Sequence, residues 1–369
     1  MKYRKLAGED VSILGFGCMR FPLLGGGSDQ KRIDEAQVKE MFETAVDSGI
    51  NYFDTAYVYH GGESEKVLGR IFKNGIREKI NIADKMPVWE VNCEEDFDRI
   101  LDEQLERLQT DYIDYYLLHA LDKDSFENKV LKFNLIDKMN KAKADGKIRH
   151  IGFSFHDNTE TFKRIIDSNP DWEFCQIQFN YIDINSQAGV EGLKYAGSKG
   201  IDVIVMEPLL GGKLANPSPQ VRKTLGKGKT PVEWAFDFVW SWDEISMLLS
   251  GMGAMEQVKD NIIYASRAEK LSGAEMDSLL ETKRVFDTMA LVPCTKCAYC
   301  MPCPAGLDIP KIYEAYNASA VSGRDRAKEI YDKITVKAEC CLKCHACERI
   351  CPQHIETTAV MPEIAEFFG

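Results

Sequence analysis

Four residues among the first 120 have side chains suited to proton chemistry, and three of them close short apolar runs. Asp54 closes NYFD, Lys85 closes INIADK and His119 closes YIDYYLLH; Tyr59 lies five residues beyond Asp54, in a loop that Gly61-Gly62 ends before a helix opens. An acid, a base, an imidazole and a phenol form an acid–base set, of use wherever a proton must move in step with another bond change. A second group is made of thiols. Of the 12 cysteines, CTKCAYCMPCP places Cys294, Cys297, Cys300 and Cys303, and CLKCHACERICP places Cys341, Cys344, Cys347 and Cys351, leaving Cys340 spare. The second run has the C-x2-C-x2-C-x3-C-P spacing of 4Fe-4S ligands, and the first is one residue shorter before its last cysteine. Small loops between thiolates let three sulfurs converge on one cubane. Zinc is the alternative occupant, since paired Cys-x2-Cys also suits tetrahedral sites.

The acid–base residues need elements that aim them at one place. Strand-like and helix-like segments alternate from the N-terminus: a hairpin over YRKL and VSILGFG, then DEAQVKEMFETAVDSG with Val38, Met41, Phe42 and Ala45 on one helical face. Helices are expected over 64–73, 95–108, 128–144, 160–167, 190–198, 231–242 and 255–265, with strands between them. Eight strand–helix pairs suit an α/β fold, a parallel (β/α)8 TIM barrel with an N-terminal β-hairpin, whose strand C-termini all open on one face. A doubly wound open sheet is the rival, but GFGCMR fails the Gly-x-Gly-x-x-Gly pattern at its last position. LGKGKT lacks the earlier glycine of a phosphate loop and reads as a flexible basic loop, whereas the glycine turns LLGGKLA and SGMGAME stand where barrels commonly seat a phosphate.

Composition narrows the function classes. Net charge is −12, which argues against binding a nucleic-acid backbone. No apolar run reaches the ~18 residues of a membrane span and the N-terminus lacks a signal-peptide pattern, so a cytoplasmic protein without membrane partners is expected. Cysteines in such a chain point to metal ligation rather than disulfides.

FDTAYVYHGGE, ADKMP, LLHA, IGFSFH, QIQFNY and EPLLGGKL, in this order, resemble the aldo-keto reductase superfamily across roughly residues 1–285. The resemblance implies a barrel that binds NADPH or NADH and moves a hydride between nicotinamide and a small carbonyl or alcohol substrate. It places the catalytic four on Asp54, Tyr59, Lys85 and His119. Hydride arriving at a carbonyl carbon requires a proton at the oxygen; Tyr59 would supply it, Lys85 would ease its release, Asp54 would hold the lysine charged, and His119 would position the oxygen. Ser154 and Gln176 fall where the family holds the nicotinamide carboxamide, Met206 replaces the usual stacking aromatic, and Leu209 and Gly211 lie in the pyrophosphate loop. Gly253, Gln257 and Asn261 follow the last strand at the adenosine end. Gly251 and Gln257 occupy the places where the family reads a 2′-phosphate with Lys and Arg, so the choice between NADPH and NADH stays open.

The tail, residues 286–369, resembles two-cluster ferredoxins with helical connections, at 309–318 and 324–334. That implies a small, mostly α-helical iron–sulfur domain with crossed ligation: Cys294, Cys297, Cys300 and Cys351 on one 4Fe-4S cluster, Cys341, Cys344, Cys347 and Cys303 on the other. Hydride transfer moves two electrons and a cluster moves one. A flavin usually mediates between them, and no flavin motif is present. The leading expectation is a nicotinamide-dependent oxidoreductase whose clusters serve a one-electron redox partner. The alternative is an electron-transfer subunit or redox sensor with the barrel as a docking scaffold.

Overall fold

The chain begins with an antiparallel hairpin, β1 (Tyr3–Leu6) and β2 (Glu9–Ser12), turned by Ala7 and Gly8 at φ 49° and 87°. Eight parallel strands follow in sequence order: β3 (Leu14–Gly17), β4 (Tyr52–Asp54), β5 (Asn81–Met86), β6 (Ile113–Leu121), β7 (Ile148–Phe155), β8 (Phe174–Gln178), β9 (Asp202–Met206) and β10 (Ile245–Gly251). β10 pairs with β3, which closes the barrel and excludes the open sheet. The computed structural model describes all residues except 27, 28, 74, 290, 295–299 and 352.

The helices form where apolar spacing and caps agree. Glu35–Asp47 starts at Asp34, whose carboxylate accepts the Gln37 N–H at 3.1 Å, and buries Val38, Met41, Phe42 and Ala45. Glu63–Ile71 packs against Glu95–Leu108 so closely that a methyl on Gly69 would run into the Arg107 carbonyl. The single helix expected over 128–144 is instead a π turn, Phe126–Leu131, and a separate helix, Leu135–Ala144. Asn134 breaks them by adopting φ 51°, a conformation asparagine tolerates better than most residues.

The barrel interior decides where the chemistry can lie. Leu6 and Val11 of the hairpin join Tyr52, Ala83, Tyr115, Leu117, Phe174 and Ile204 in one buried cluster, sealing the lower end. Side chains alternate along a strand, so the residue two places on shares the inward face. From Tyr52, Ala83, Leu117, Phe174 and Ile204 this step gives Asp54, Lys85, His119, Gln176 and Met206. The step is consistent across strands: Asp54 pairs with Ala83, Lys85 with Leu117, and Gln176 with Ile204. The sequence-derived site residues on these strands thus form the layer above the apolar plug, at the strand C-termini.

Residues 1–214 with 232–272 form one compact unit, and residues 215–231 with 273–369 a second. In the second unit the helix Gly273–Thr288 packs on Pro219–Thr224, with Ser278 Oγ donating to Thr224 O at 3.0 Å and Lys229 pairing with Glu275 at 3.1 Å. The basic loop over 225–230 is thus tied down at Lys229. Helices Ile309–Ser322, Arg324–Asp332 and Thr357–Phe368 surround a core that includes Ile312, Tyr313, Ala327, Met361, Ile364 and Phe368. Among the described residues no helix is long and apolar enough to cross a membrane.

Candidate active site

Lys85 is the centre of the site. Its ammonium meets Asp54 Oδ1 at 2.7 Å and Oδ2 at 2.8 Å and the Thr55 carbonyl at 2.6 Å, so all three of its protons are engaged. The two side chains are 1% and 4% exposed. Burial lowers the lysine's affinity for its proton, but Asp54 and then Tyr59 outweigh that loss and hold Lys85 above its ordinary value. Burial also pushes the Asp54 carboxyl up, with Lys85 opposing it. The two-oxygen contact is that of a charged pair.

Tyr59 lies half-buried over this pair, its ring centre 5.0 Å from Lys85 Nζ. Lys85 pulls the phenol in the direction the sequence argument requires, yet burial is the larger effect and the net shift is upward. Tyr59 is therefore a protonated phenol at neutral pH, with Lys85 opposing the effect of burial. His119 meets the Tyr59 ring edge-on at 6.2 Å and lies 5.2 Å from the exposed Trp89. Burial, then Lys85, then His156 lower its pKa well below the usual imidazole range, so it is neutral. Its Nδ1 is buried without a hydrogen-bond partner. Here β6 and β7 slip register between Leu118 and Leu121, and Ala120 has φ 54°.

The residues expected to hold a nicotinamide are close by. Ser154 Oγ accepts from Ala120 N at 2.7 Å, linking β7 to the bulge beside His119. Gln176 is 3% exposed; its Nε2 reaches Met206 Sδ at 3.5 Å, and its Oε1 has no partner. A buried carboxamide oxygen without a donor is costly, and a ligand amide would satisfy it, so this part of the site fits a nicotinamide carboxamide. Leu209 and Gly211 lie in a turn after β9, where Glu207 accepts from Gly211 N. Glu207 and Leu210 both have left-handed φ, 54° and 49°, a strain typical of functional loops. After β10, Gly253 N donates to Gln257 Oε1 at 2.8 Å and Asn261 Nδ2 to Ser250 Oγ at 3.1 Å.

A polar layer behind Lys85 escaped the sequence reading. Gln104 donates to the Lys85 carbonyl at 3.1 Å and to Glu65 at 3.2 Å, and accepts from Tyr116 OH at 2.5 Å. Arg107 donates to the other Glu65 oxygen at 2.7 Å. Asp84 is fully buried; burial and then Glu65 push its carboxyl well up. Its signal lay in the helices: Glu65 and Gln104 sit on apolar faces, beside Leu68 and Leu101, where a polar residue must have a partner. His60 is a further omission. It stacks on Phe21 at 5.3 Å, accepts from Phe21 N at 3.2 Å and lies 2.9 Å from the Gln30 carbonyl through Nδ1, anchoring the loop after β3 beside Tyr59.

In the second unit, Cys294, Cys300, Cys303, Cys341, Cys347 and Cys351 pack against one apolar core. Cys344 and Cys340 are exposed, and Cys297 lies outside the described residues, as does Pro352. Burial is the main cause that pushes the Tyr313 phenol up, and Cys347 of one run with Cys294 and Cys300 of the other add to it. Among the described residues no three Cys, His, Asp or Glu side chains are gathered to hold a metal ion.

Fold and site together define a parallel barrel with an acid–base group at its C-terminal mouth. A profile of the Aldo/keto reductase family matches residues 13–283, and the chain belongs to that family of oxidoreductases. It is 28% identical over 303 residues to L-galactose dehydrogenase of Arabidopsis thaliana, covering 76% of this chain and 92% of that protein. An aldo-keto reductase from Bacillus halodurans in its holo form superposes with TM-score 0.65 at 25% identity, over 76% of this chain and 96% of the other. An aldo/keto reductase from Klebsiella pneumoniae in complex with NADP and acetate gives TM-score 0.61 at 23% identity, over 75% and 94% of the two chains.

Proposed function

We propose that the barrel is an NADP(H)-dependent carbonyl reductase or alcohol dehydrogenase, with Asp54, Tyr59, Lys85 and His119 as its catalytic group. The observation that carries this is the buried Lys85 ammonium, locked on Asp54 and facing Tyr59, with a neutral His119 beside them. Gln176, with Ser154 and Met206, would hold the nicotinamide, and Leu209, Gly211, Gly253, Gln257 and Asn261 the phosphates and adenosine. The Klebsiella relative, described with NADP, supports that reading by its fold.

When bound, the nicotinamide supplies the hydride in reduction or accepts it in oxidation. As the carbon gains its new C–H bond, the carbonyl π electrons pass to oxygen, and Tyr59 gives that oxygen its phenolic proton. Lys85 stabilises the phenolate left behind, and Asp54 keeps Lys85 charged and fixed. The neutral His119 offers a ring N–H to the same oxygen without competing as a stronger acid. Oxidation of an alcohol reverses each transfer. The test is NADPH or NADH consumption by the purified full chain against a panel of small aldehydes and ketones; no consumption with any carbonyl removes the assignment.

We further propose that the second unit is a ferredoxin-like module, with residues 286–369 carrying two 4Fe-4S clusters in the crossed arrangement and serving a one-electron partner. Its support is the packing of cysteines from both runs on one core. Anaerobic purification should give about eight irons and eight labile sulfides per chain; zinc instead would refute it. Bleaching of the cluster colour by NADPH supports electronic linkage to the barrel. An unchanged colour with normal carbonyl turnover makes the clusters structural.

A further inference from the structure

We propose that Arg20, from the turn after β3, supplies the cation that reads the 2′-phosphate of NADPH, beside the places held by Gly251 and Gln257. This rests on the nicotinamide reading above and deepens it. A phosphate monoester needs charge-assisted donors, bidentate from arginine where geometry allows. At the adenosine end of the site the chain offers Gly251, Gly253 and Gln257, none of them charged.

Arg20 is brought there by the barrel itself. Gly251, the last residue of β10, pairs with Gly17 of β3, and Arg20 follows three residues later in the turn Cys18–Arg20. The next residue, Phe21, is held by its N–H bond to His60 at 3.2 Å, so the turn has a fixed exit. The arginine stem then lies over the strand end. A Cβ built on Gly251 would stand 3.2 Å from Arg20 Cδ and 3.3 Å from Cγ, and one on Gly253 would stand 3.0 Å from the Arg20 carbonyl. The absence of side chains at both positions leaves the channel for Arg20. Arg20 is an exposed residue, and no hydrogen bond or ion pair ties its side chain to another described residue. A cation so placed, without a carboxylate to neutralise it, is available to a phosphate.

The geometry makes residues 20 and 251 alternatives. A side chain at 251 would run where the Arg20 stem runs, so a lysine could serve at 251 only if Arg20 were shortened.

The experiment is titration of NADPH, NADH, adenosine 2′,5′-bisphosphate and ADP against the intrinsic fluorescence of the full chain, purified anaerobically. The unaltered protein is expected to bind NADPH more tightly than NADH. Arg20→Ala should weaken NADPH and the bisphosphate roughly ten- to hundredfold, leaving NADH and ADP within about twofold. Adding Gly251→Lys to Arg20→Ala should restore much of the NADPH affinity. Equal loss for all four ligands would place Arg20 on the pyrophosphate and overturn the assignment, as would no loss for any. Binding of NADH and NADPH alike by the unaltered protein also overturns it while the nicotinamide reading stands. If the unaltered protein binds neither dinucleotide, both readings fall together.

Discussion

Lys85 reaches from one barrel strand to the next and sets its ammonium on both oxygens of Asp54, at 2.7 and 2.8 Å, with almost no solvent on either side chain. Removing one member of such a pair leaves an uncompensated buried charge, which typically costs about 3–5 kcal/mol, whereas removing both costs far less. Asp54→Asn should therefore destabilise the protein by about 3 kcal/mol, and the double variant Asp54→Asn, Lys85→Met by clearly less than the sum of the single changes. Urea midpoints of the four proteins check this; additive losses would mean that the pair is not coupled as its geometry implies.

The neutral state of His119 has a thermodynamic consequence. Its folded pKa lies well below the unfolded value near 6.5, so the unfolded chain binds the extra proton and stability falls as pH drops below about 6.5. Between pH 7 and 5 this one group should cost the native protein up to about 2 kcal/mol. His119→Gln removes that share, so its stability should decline less steeply than that of the unaltered protein over the same window. Parallel curves would show that His119 keeps an ordinary pKa.

Asp84 works with the opposite sign. Burial and Glu65 raise its folded pKa above the unfolded value, so its contribution is fully present at low pH and is lost as pH rises through the folded pKa. Asp84→Asn keeps an oxygen for the Lys85 N–H, now at 2.8 Å from Asp84 Oδ1, and presents an amide to Glu65 without a second acid. The variant should match the unaltered protein only below about pH 4, the unfolded carboxyl range, and gain on it as pH rises to 8, as read by urea unfolding at pH 3.5 and 8. A loss at pH 8 would mean that the Asp84 carboxylate is ionised and satisfied.

Much of the architecture was legible because the barrel repeats one rule. Val38, Met41, Phe42 and Ala45 announce a helix by spacing, and Asp54, Lys85 and His119 announce strand ends by interrupting apolar runs. What stayed hidden depended on burial that spacing does not record. Gly273–Thr288 buries Leu279 and Thr282 on a weak apolar face, and Thr357–Phe368 contains Pro362, a residue that reads as a stop, yet Met361, Ile364 and Phe368 are held in the core of the second unit. Glu65, Asp84 and Gln104 look like surface polar residues until Glu95–Leu108 is packed on Glu63–Ile71. The net upward shift of Tyr59 was equally hidden, since its cause is enclosure rather than any neighbour in sequence.

The most direct test of the central claim is the Tyr59→Phe variant, followed both for NADPH binding by fluorescence and for single-turnover reduction of an aldehyde that the unaltered protein accepts. The phenolic proton is the only part removed, so binding should be unchanged within about twofold while the reduction rate falls by roughly 10²- to 10⁴-fold. Full-rate reduction by the variant would show that the proton reaches the substrate by another route, and the catalytic role given to this group would be wrong.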